Sequence, residues 1–222
     1  MGRMIGSSSI SFDKPPFIIE GASIVGRKEG DGPLGKLFDV VEQDPMLGQE
    51  TWEEAESLLQ KEAIQKLLFK AGMSKEEIRY IFGGDLLGQL IATTFGILEF
   101  EVPFFGLYGA CSTMGEALSL GAVMVEAGNA DNVIAMASSH FASAERQFRF
   151  PLAYGNQRPY AATWTVTGCG AVIISTKKGF AKITGITTGK IVDFGVKDAQ
   201  NMGACMAPAA ADVIYQHFKD FN

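Results

Sequence analysis

Apolar residues follow two spacings along this chain, one typical of buried strands and the other typical of amphipathic helices. Short apolar runs predict strands at 17–25, 78–82, 102–108, 133–137, 165–175 and 181–194. Helical spacing predicts helices at 51–72, 86–95, 112–125 and 209–218, with a short helix starting at Met73. Strands and helices alternate up to residue 137, and this order predicts an α/β fold in which helices cover both faces of a parallel sheet.

The clearest helix begins at Thr51, a residue type that favours the N-cap position. The acidic pair 53–54 in its first turn and Lys70 in its last turn match the helix dipole, and Gly72 ends it. One face is apolar and is expected to pack on the sheet. Its residues are Ala55, Leu58, Leu59, Ala63, Leu67 and Leu68.

Three segments lack either spacing and are predicted to be irregular. They are a polar arm at 1–16, a Gly- and Pro-rich loop at 26–48 and a loop at 201–208. The last predicted helix ends with the chain, and no returning strand follows it. A βα unit without its second strand predicts a truncated form of a longer protein.

Cys111 occupies the most distinctive position in the chain. It follows an apolar, aromatic run and a tight Gly109–Ala110 pair. Ser112 and Thr113, which come next, are good N-cap residues, and Glu116 is placed as in a capping box. The amino end of a helix stabilises a thiolate and also binds anions. Cys111 is therefore a candidate nucleophile or a candidate anion-binding residue, and the alternative is a cysteine packed in the core.

The segment 138–164 interrupts the alternation of strands and helices with a long aromatic and basic run. Arginine binds carboxylates bidentately and aromatic rings stack on flat ligands, so the segment suits a planar anion that carries carboxylates. The alternative is an ordered cover over the sheet edge with its guanidinium groups in water. Its histidine and arginines are His140, Arg146, Arg149 and Arg158.

Composition narrows the function classes. The net charge is −6 and the pI is about 5.0, which gives no electrostatic basis for binding nucleic acid. Three cysteines show no zinc spacing and no CxxC, which favours a reducing compartment, and Cys169 is predicted to be a core residue. No apolar run is long enough to span a membrane, and no calcium loop of the DxDxDG type occurs. We predict an intracellular soluble protein without a cofactor or a metal site.

Several motifs together resemble the thiolase superfamily: the Cys111 turn, VIAMASSH at 133–140 and TVTGCGAVIIS at 165–175. Other segments, including GDLLGQ at 84–89 and the Arg- and aromatic-rich block 138–175, are similar to the stage V sporulation protein AD family of spore-forming bacteria. This resemblance implies a thiolase-like layered fold with helices around a mixed, largely parallel sheet. The first thiolase-like half is expected at 1–178, and the second half starts at 179–222 and is incomplete.

The resemblance also implies a function. Members of that family bind dipicolinic acid (pyridine-2,6-dicarboxylate) so that the acid, with calcium, enters the developing spore. The expected location is peripheral, at the spore inner membrane, in an assembly with channel proteins, and thiolase-like proteins usually form homodimers. The candidate ligand-binding residues are Cys111, Ser138, Ser139, His140, Arg146, Arg149 and Arg158, with Asp85 and Gln89 as more distant candidates.

Two other functions stay open at this point. An acyl-transferring or condensing enzyme would use Cys111 as its nucleophile, but it needs a histidine base and an oxyanion hole, which thiolases take largely from their second half. The chain has two histidines, and His217 is predicted to be structural or exposed while His140 lies in the first half. A binding protein is therefore expected rather than an enzyme. The third possibility is a docking protein that uses the arm 1–16 and the loop 26–48.

Overall fold

The computed structural model describes residues 2–148, 164–198 and 201–222. The strands are β1 Arg3–Ile5, β2 Ser9–Ser11, β3 Phe17–Gly26, β4 Val40–Glu42, β5 Tyr80–Gly84, β6 Phe104–Gly106, β7 Asn132–Ser139, β8 Gly168–Ser175, β9 Ala181–Lys182 and β10 Gly185–Thr187. The helices are α1 Arg27–Gly30, α2 Trp52–Ala71, α3 Ile91–Gly96, α4 Thr113–Glu126, α5 Phe141–Phe148 and α6 Met202–Phe221.

The main sheet has the strand order β4-β3-β8-β7-β5-β6, with β9 also paired to β3. The pairs β3–β4, β5–β7 and β5–β6 are parallel, whereas β8 runs antiparallel to both β3 and β7. It follows that β4, β3, β7, β5 and β6 all point the same way. The predicted α/β class with a mixed, largely parallel sheet is confirmed, and the carboxyl ends of these strands share one edge.

Helix α2 forms because its local signals agree. Thr51 accepts a hydrogen bond from the Glu54 amide while the Glu54 carboxylate accepts one from the Thr51 amide, and Gly72 ends the helix with φ 61°. The apolar face of α2 packs on one side of the sheet, where Leu59 and Ile64 contact a core that includes Ile134. The prediction for this helix is confirmed.

The other side of the sheet is covered by α4. Ala117 and Val125 pack with Phe82 and Val133 in a second apolar cluster. Gly121 lets the helix approach closely, because a Cβ there would lie 2.9 Å from Ile174 Cδ1. The site residues are therefore held by a sheet with α2 on one face and α4 on the other.

The strand predicted at 102–108 is shorter and more exposed than expected. Only 104–106 forms a strand, β6, and it pairs with β5 alone at the edge of the sheet. Phe105 remains 46% exposed. The prediction of a buried strand is therefore wrong, because β6 lies at the edge of the sheet and no described strand pairs with its outer side.

The arm 1–16 was predicted to be irregular, and this was also wrong. The strands β1 and β2 form a hairpin, and β2 pairs with the distant β10. Asp220 of α6 accepts hydrogen bonds from the amides of Ser7 and Ser8 and from Ser9 Oγ. These partners lie about two hundred residues away along the chain, so the local apolar pattern carried no sign of them.

Three further predictions are corrected by the structure. The loop predicted at 201–208 is helical, because the Asn201 side chain caps α6 and Pro208 is accommodated inside it. The helix predicted at 86–95 is divided into a 3₁₀ turn at 88–90 and α3, because Gln89 and Leu90 have φ 60° and 54°. The strand region 181–194 contains only the short strands β9 and β10 among its residues, all of which the structure describes.

Candidate functional site

Four segments lie along the carboxyl edge of the parallel strands. They are the loop 85–90 after β5, the residues 107–112 between β6 and α4, the turn 138–143 after β7, and Pro45, which follows β4. In open α/β sheets this edge is where ligand-binding residues collect. Each of the predicted site residues that the structure describes follows or ends one of these strands, or lies in the helix that begins there.

A buried polar cluster lies beneath this edge. Glu56 of α2 accepts hydrogen bonds from Ser138 Oγ at Oε1 (2.8 Å) and from Ser143 Oγ at Oε2 (2.8 Å). Gln60, one turn further along α2, donates from Nε2 to Ser138 Oγ (2.6 Å) and to Thr93 Oγ1 (3.1 Å). Glu56 and Gln60 are both completely buried. The cluster links α2 to the end of β7, to α3 and to α5.

Sequence reasoning missed Glu56 and Gln60. Both polar residues were left out of the apolar face of α2, although their spacing of four places them on the same side as Ala63 and Leu67. The presence of two polar residues on this apolar face was the signal that the sequence offered. A polar pair within an otherwise apolar helix face indicates a buried partner for each polar group.

The pKa of Glu56 is raised to about 7, chiefly by burial and to a smaller extent by the nearby Asp85 carboxyl, while the hydrogen bonds from Ser138 and Ser143 partly offset the rise. Burial, together with the charge of Glu56, also raises the pKa of the Cys169 thiol. Cys169 is 2% exposed, which confirms its prediction as a core residue. Glu56 is thus a carboxyl group that gains or loses its proton near neutral pH.

Asp85, at the end of β5, is engaged within the protein. Its carboxylate accepts hydrogen bonds from the Leu87 amide (2.7 Å), the Thr93 amide (2.7 Å) and Thr93 Oγ1 (2.5 Å). The side chain is 1% exposed and fastens the loop 85–90 to α3. Gln89 in that loop is exposed, so of these two candidates only Gln89 has a side chain in contact with solvent.

His140 is buried beside the cluster. Its Nδ1 accepts from the Ala142 amide (3.2 Å), so the proton lies on Nε2, which donates to the Pro45 carbonyl (2.7 Å). Burial lowers the pKa of His140, and the hydrogen bond to Pro45 and the charge of Glu29 only partly oppose this shift. The imidazole is therefore neutral at pH 7, and both of its nitrogens are engaged.

Aromatic rings form an array around His140. Its ring centroid lies 5.4 Å from Trp52 and 5.2 Å from Phe141, and Phe141 stacks on Trp164 at 5.4 Å. Lys28 Nζ lies 3.5 Å from the centroid of the Trp164 ring. The array thus runs from the buried imidazole to the surface and ends in a cation that sequence reasoning did not select.

Cys111 lies in a 3₁₀ turn at 110–112, directly before α4. Its placement at a strand-to-helix turn is as predicted, and the side chain is exposed rather than packed in the core. Ser112 does not cap the helix by a side-chain hydrogen bond to an amide. Its backbone is already helical, with φ −90° and ψ −9°, and its hydroxyl instead donates to the Gly109 carbonyl or to Glu116.

The structure brings some candidates together and leaves others apart. Ser138 belongs to the buried cluster, and Ser139 donates to the Val166 carbonyl (2.6 Å), which joins the start of the turn 138–143 to the segment that leads into β8. Arg146 lies in α5, and its side chain is not described. Arg149 and Arg158 lie outside the described residues.

The described residues contain neither a metal-binding cluster nor a membrane-spanning helix. Within 2–148, 164–198 and 201–222, no three side chains of the His, Cys, Asp and Glu types are grouped so that they would hold a metal ion. In the same ranges, no helix combines the length and the apolar character needed to cross a membrane.

The sequence is similar to one family of sporulation proteins. The family model described as stage V sporulation protein AD matches residues 6–222. Stage V sporulation protein AD of Bacillus subtilis (strain 168) is 43% identical over 220 residues, which are 99% of this chain and 65% of that protein. The chain therefore spans slightly less than two thirds of the length of this relative.

Solved structures share the fold at low sequence identity. ChlB3, described as an acyltransferase, aligns with a TM-score of 0.52 and 18% identity over 76% of this chain and 52% of that one. The priming β-ketosynthase from the R1128 polyketide biosynthetic pathway aligns with a TM-score of 0.47 and 18% identity over 79% of this chain and 52% of that one. The alignment with ChlB3 shows that the chain has the thiolase-like fold.

Proposed function

Because this chain belongs to the stage V sporulation protein AD family, we propose that it binds dipicolinic acid (pyridine-2,6-dicarboxylate) for uptake into the developing spore. Membership makes it a sporulation protein with a thiolase-like fold. The ligand, alone or as its calcium complex, is our proposal, and so is a peripheral position at the spore inner membrane with channel proteins as partners.

The observation that carries this proposal is the aromatic array at the carboxyl edge of the sheet, which ends at Trp164 and Lys28. A flat ring with two carboxylates binds to stacking rings and to a cation, and the array provides both. The exposed turn at Cys111 lies further along the same edge, after the edge strand β6, and the positive end of the α4 dipole there attracts anions.

The first test uses Lys28. We expect Lys28→Ala to weaken the binding of dipicolinate about tenfold, because the variant loses the described cation nearest the aromatic array. Calorimetric titration of dipicolinate into the chain measures this. Lys36→Ala is the matched control, since Lys36 lies in the same 26–48 segment, in the 3₁₀ turn 35–37. Equal weakening in both variants, or in neither, would contradict a specific role for Lys28.

We propose a binding protein rather than an enzyme, and the histidines support this. The chain has two, and both are engaged: His140 with Pro45 and Ala142, and His217 through Nδ1 with Thr187 Oγ1 (2.8 Å). A thiol nucleophile needs a free base close by. Acyl transfer through Cys111 is the alternative function, favoured by the exposed position of this thiol before α4.

Thiol labelling separates these two functions. In a binding protein, Cys111 should react with iodoacetamide at pH 7 at a rate similar to that of Cys205, which is also exposed. Mass spectrometry of peptides after timed quenching gives both rates in one sample, with the buried Cys169 as the unreactive reference. Labelling of Cys111 more than tenfold faster than Cys205, together with acyl transfer from an acyl-CoA, would instead support the enzyme.

We also propose a homodimer that pairs through the edge strand β6. Among the described strands, β6 has a partner on one side only, and Phe105 is 46% exposed on it. Tyr108, two residues after β6, is 59% exposed. An edge strand with exposed aromatic residues favours association with a second strand.

A further inference from the structure

The carboxyl group of Glu56 holds both ends of the turn that carries Ser139 and His140. It reaches from α2 to Ser138 at the end of β7 and to Ser143 in the first turn of α5, each at 2.8 Å. Ser139 and His140, two of the candidate ligand-binding residues, lie between these two hydroxyl contacts. No other described side chain hydrogen-bonds to both Ser138 and Ser143. The position of this turn, and of the aromatic array that follows it, therefore depends on Glu56.

The surroundings of Glu56 favour the neutral acid. The described titratable groups that act on it or respond to it are Asp85 from the loop after β5 and Cys169 from β8, and His140 lies on the turn between Ser138 and Ser143. Asp85 adds a like charge, whereas Cys169 and His140 are buried and uncharged at pH 7. Within the described part of the chain, the hydrogen-bond partners of Glu56 are two serine hydroxyls and no cation. Among the described side chains, a charge at this position has no counter-charge.

The hydrogen bonds in the turn agree with a protonated carboxyl. When Oε2 carries the proton, it donates to Ser143 Oγ, and the Ser143 hydroxyl is then free to donate to the His140 carbonyl at 3.1 Å. Ser138 donates to Oε1 in either state. When Glu56 is ionised, Ser143 must turn its proton to Oε2 and gives up the His140 carbonyl.

We propose that Glu56 is a proton-dependent positioning residue for this site: its neutral carboxyl holds the turn 138–143 in the binding geometry, and ionisation releases the turn. The inference rests on the proposed ligand-binding function. Release follows because a buried charge is most easily hydrated by opening the segment that covers it, and Ser138 and Ser143 both belong to that segment. Ligand affinity then falls as the pH rises through neutrality.

The test compares the pH dependence of binding in the wild type and in Glu56→Gln. Glutamine has the same shape, donates to Ser143 and accepts from Ser138, and it does not titrate. We expect the dissociation constant of pyridine-2,6-dicarboxylate to rise about tenfold between pH 6 and pH 8.5 for the wild type and to stay constant for the variant. The same rise in both proteins would overturn the inference.

Glu62→Gln is the matched control for this experiment. It makes the same chemical change on the same helix, at a partly buried carboxyl whose neighbouring charges are Glu42 and Lys61 rather than those of the turn. The control should keep the pH dependence of the wild type. If it loses that dependence as Glu56→Gln does, the effect comes from the charge of the protein as a whole, and the specific role of Glu56 is overturned.

A second measurement follows the turn without any ligand. The chain has two tryptophans, so Trp164→Phe leaves Trp52 as the single tryptophan, which can be excited selectively at long wavelength and lies 5.4 Å from His140. We expect a fluorescence transition near pH 7 in this background and none after adding Glu56→Gln. His140 titrates in both proteins and so does not produce the difference. If pyridine-2,6-dicarboxylate does not bind at any pH, the proposed function fails, and this transition alone supports or overturns the positioning role.

Discussion

Replacing Glu56 with glutamine should stabilise the fold by about 3 kcal/mol above pH 7 and change its stability little near pH 5. The pKa of Glu56 rises from 4.5 to about 7 on folding, chiefly because the side chain is buried. The folded state therefore binds a proton that the unfolded state has lost at intermediate pH. The free energy of unfolding falls as the pH rises from about 4.5 to 7, and this loss is complete above the folded-state pKa.

Urea unfolding at pH 5 and at pH 8 measures this effect. Glutamine cannot ionise, so the stability of the variant should not show the fall that Glu56 causes in the wild type. Glu62→Gln should gain less, because Glu62 is only partly buried and Lys61 lowers its pKa while burial raises it. Parallel curves of stability against pH for the wild type and Glu56→Gln would contradict the assignment of a neutral buried acid.

Gly84→Ala should destabilise the fold by about 3 kcal/mol or more. Gly84 is the last residue of β5, and a Cβ there would run into the carbonyl oxygen of Leu107, while Leu90 Cδ2 would lie 3.1 Å away. The Leu107 oxygen belongs to the backbone that leads from β6 to Cys111. A backbone atom cannot rotate away as a flexible side chain does, so the strand or the Cys111 turn must move.

Thermal unfolding monitored by circular dichroism tests this prediction, and Gly170→Ala is the matched control. Gly170 lies in β8 of the same sheet, and a Cβ there meets no heavy atom within 4 Å. The control should stay within about 1 kcal/mol of the wild type, since alanine also reduces the freedom of the unfolded chain. Equal melting temperatures for the two variants would contradict the prediction, because they would show that the backbone at Leu107 moves without loss of stability.

The elements that the sequence predicted well are those whose determinants are local. Helix α2 begins after Thr51 and ends at Gly72, because a side-chain cap and a left-handed glycine act within a few residues of the helix end. The strands at 17–25 and 133–137 have apolar runs long enough to indicate burial without knowledge of their partners. The pattern of alternation then predicted the α/β class, which the structure confirms.

The errors came where a distant segment decides the outcome. The hairpin at 1–16 exists because β10 and Asp220 provide its partners, and the polar sequence of the arm has no apolar pattern to predict it. The segment 201–208 was predicted to be a loop, although the alanine-rich sequence on both sides of Pro208 sustains α6 through that position. In the arm 1–16, contacts with distant segments outweighed a weak local pattern. In α6, the helix propensity of the neighbouring alanines outweighed the effect of Pro208.

The sequence by itself determined the family, the class of fold and the position of Cys111 between a strand and a helix, since motifs and periodicity are properties of neighbouring residues. Only the tertiary structure decided that Glu56 and Gln60 are buried, that His140 is neutral, and that Lys28 lies over Trp164. The physical reason is that burial, protonation and stacking depend on what the opposite element presents. That information arises only when α2, the turn 138–143 and the end of β3 come together at one edge of the sheet.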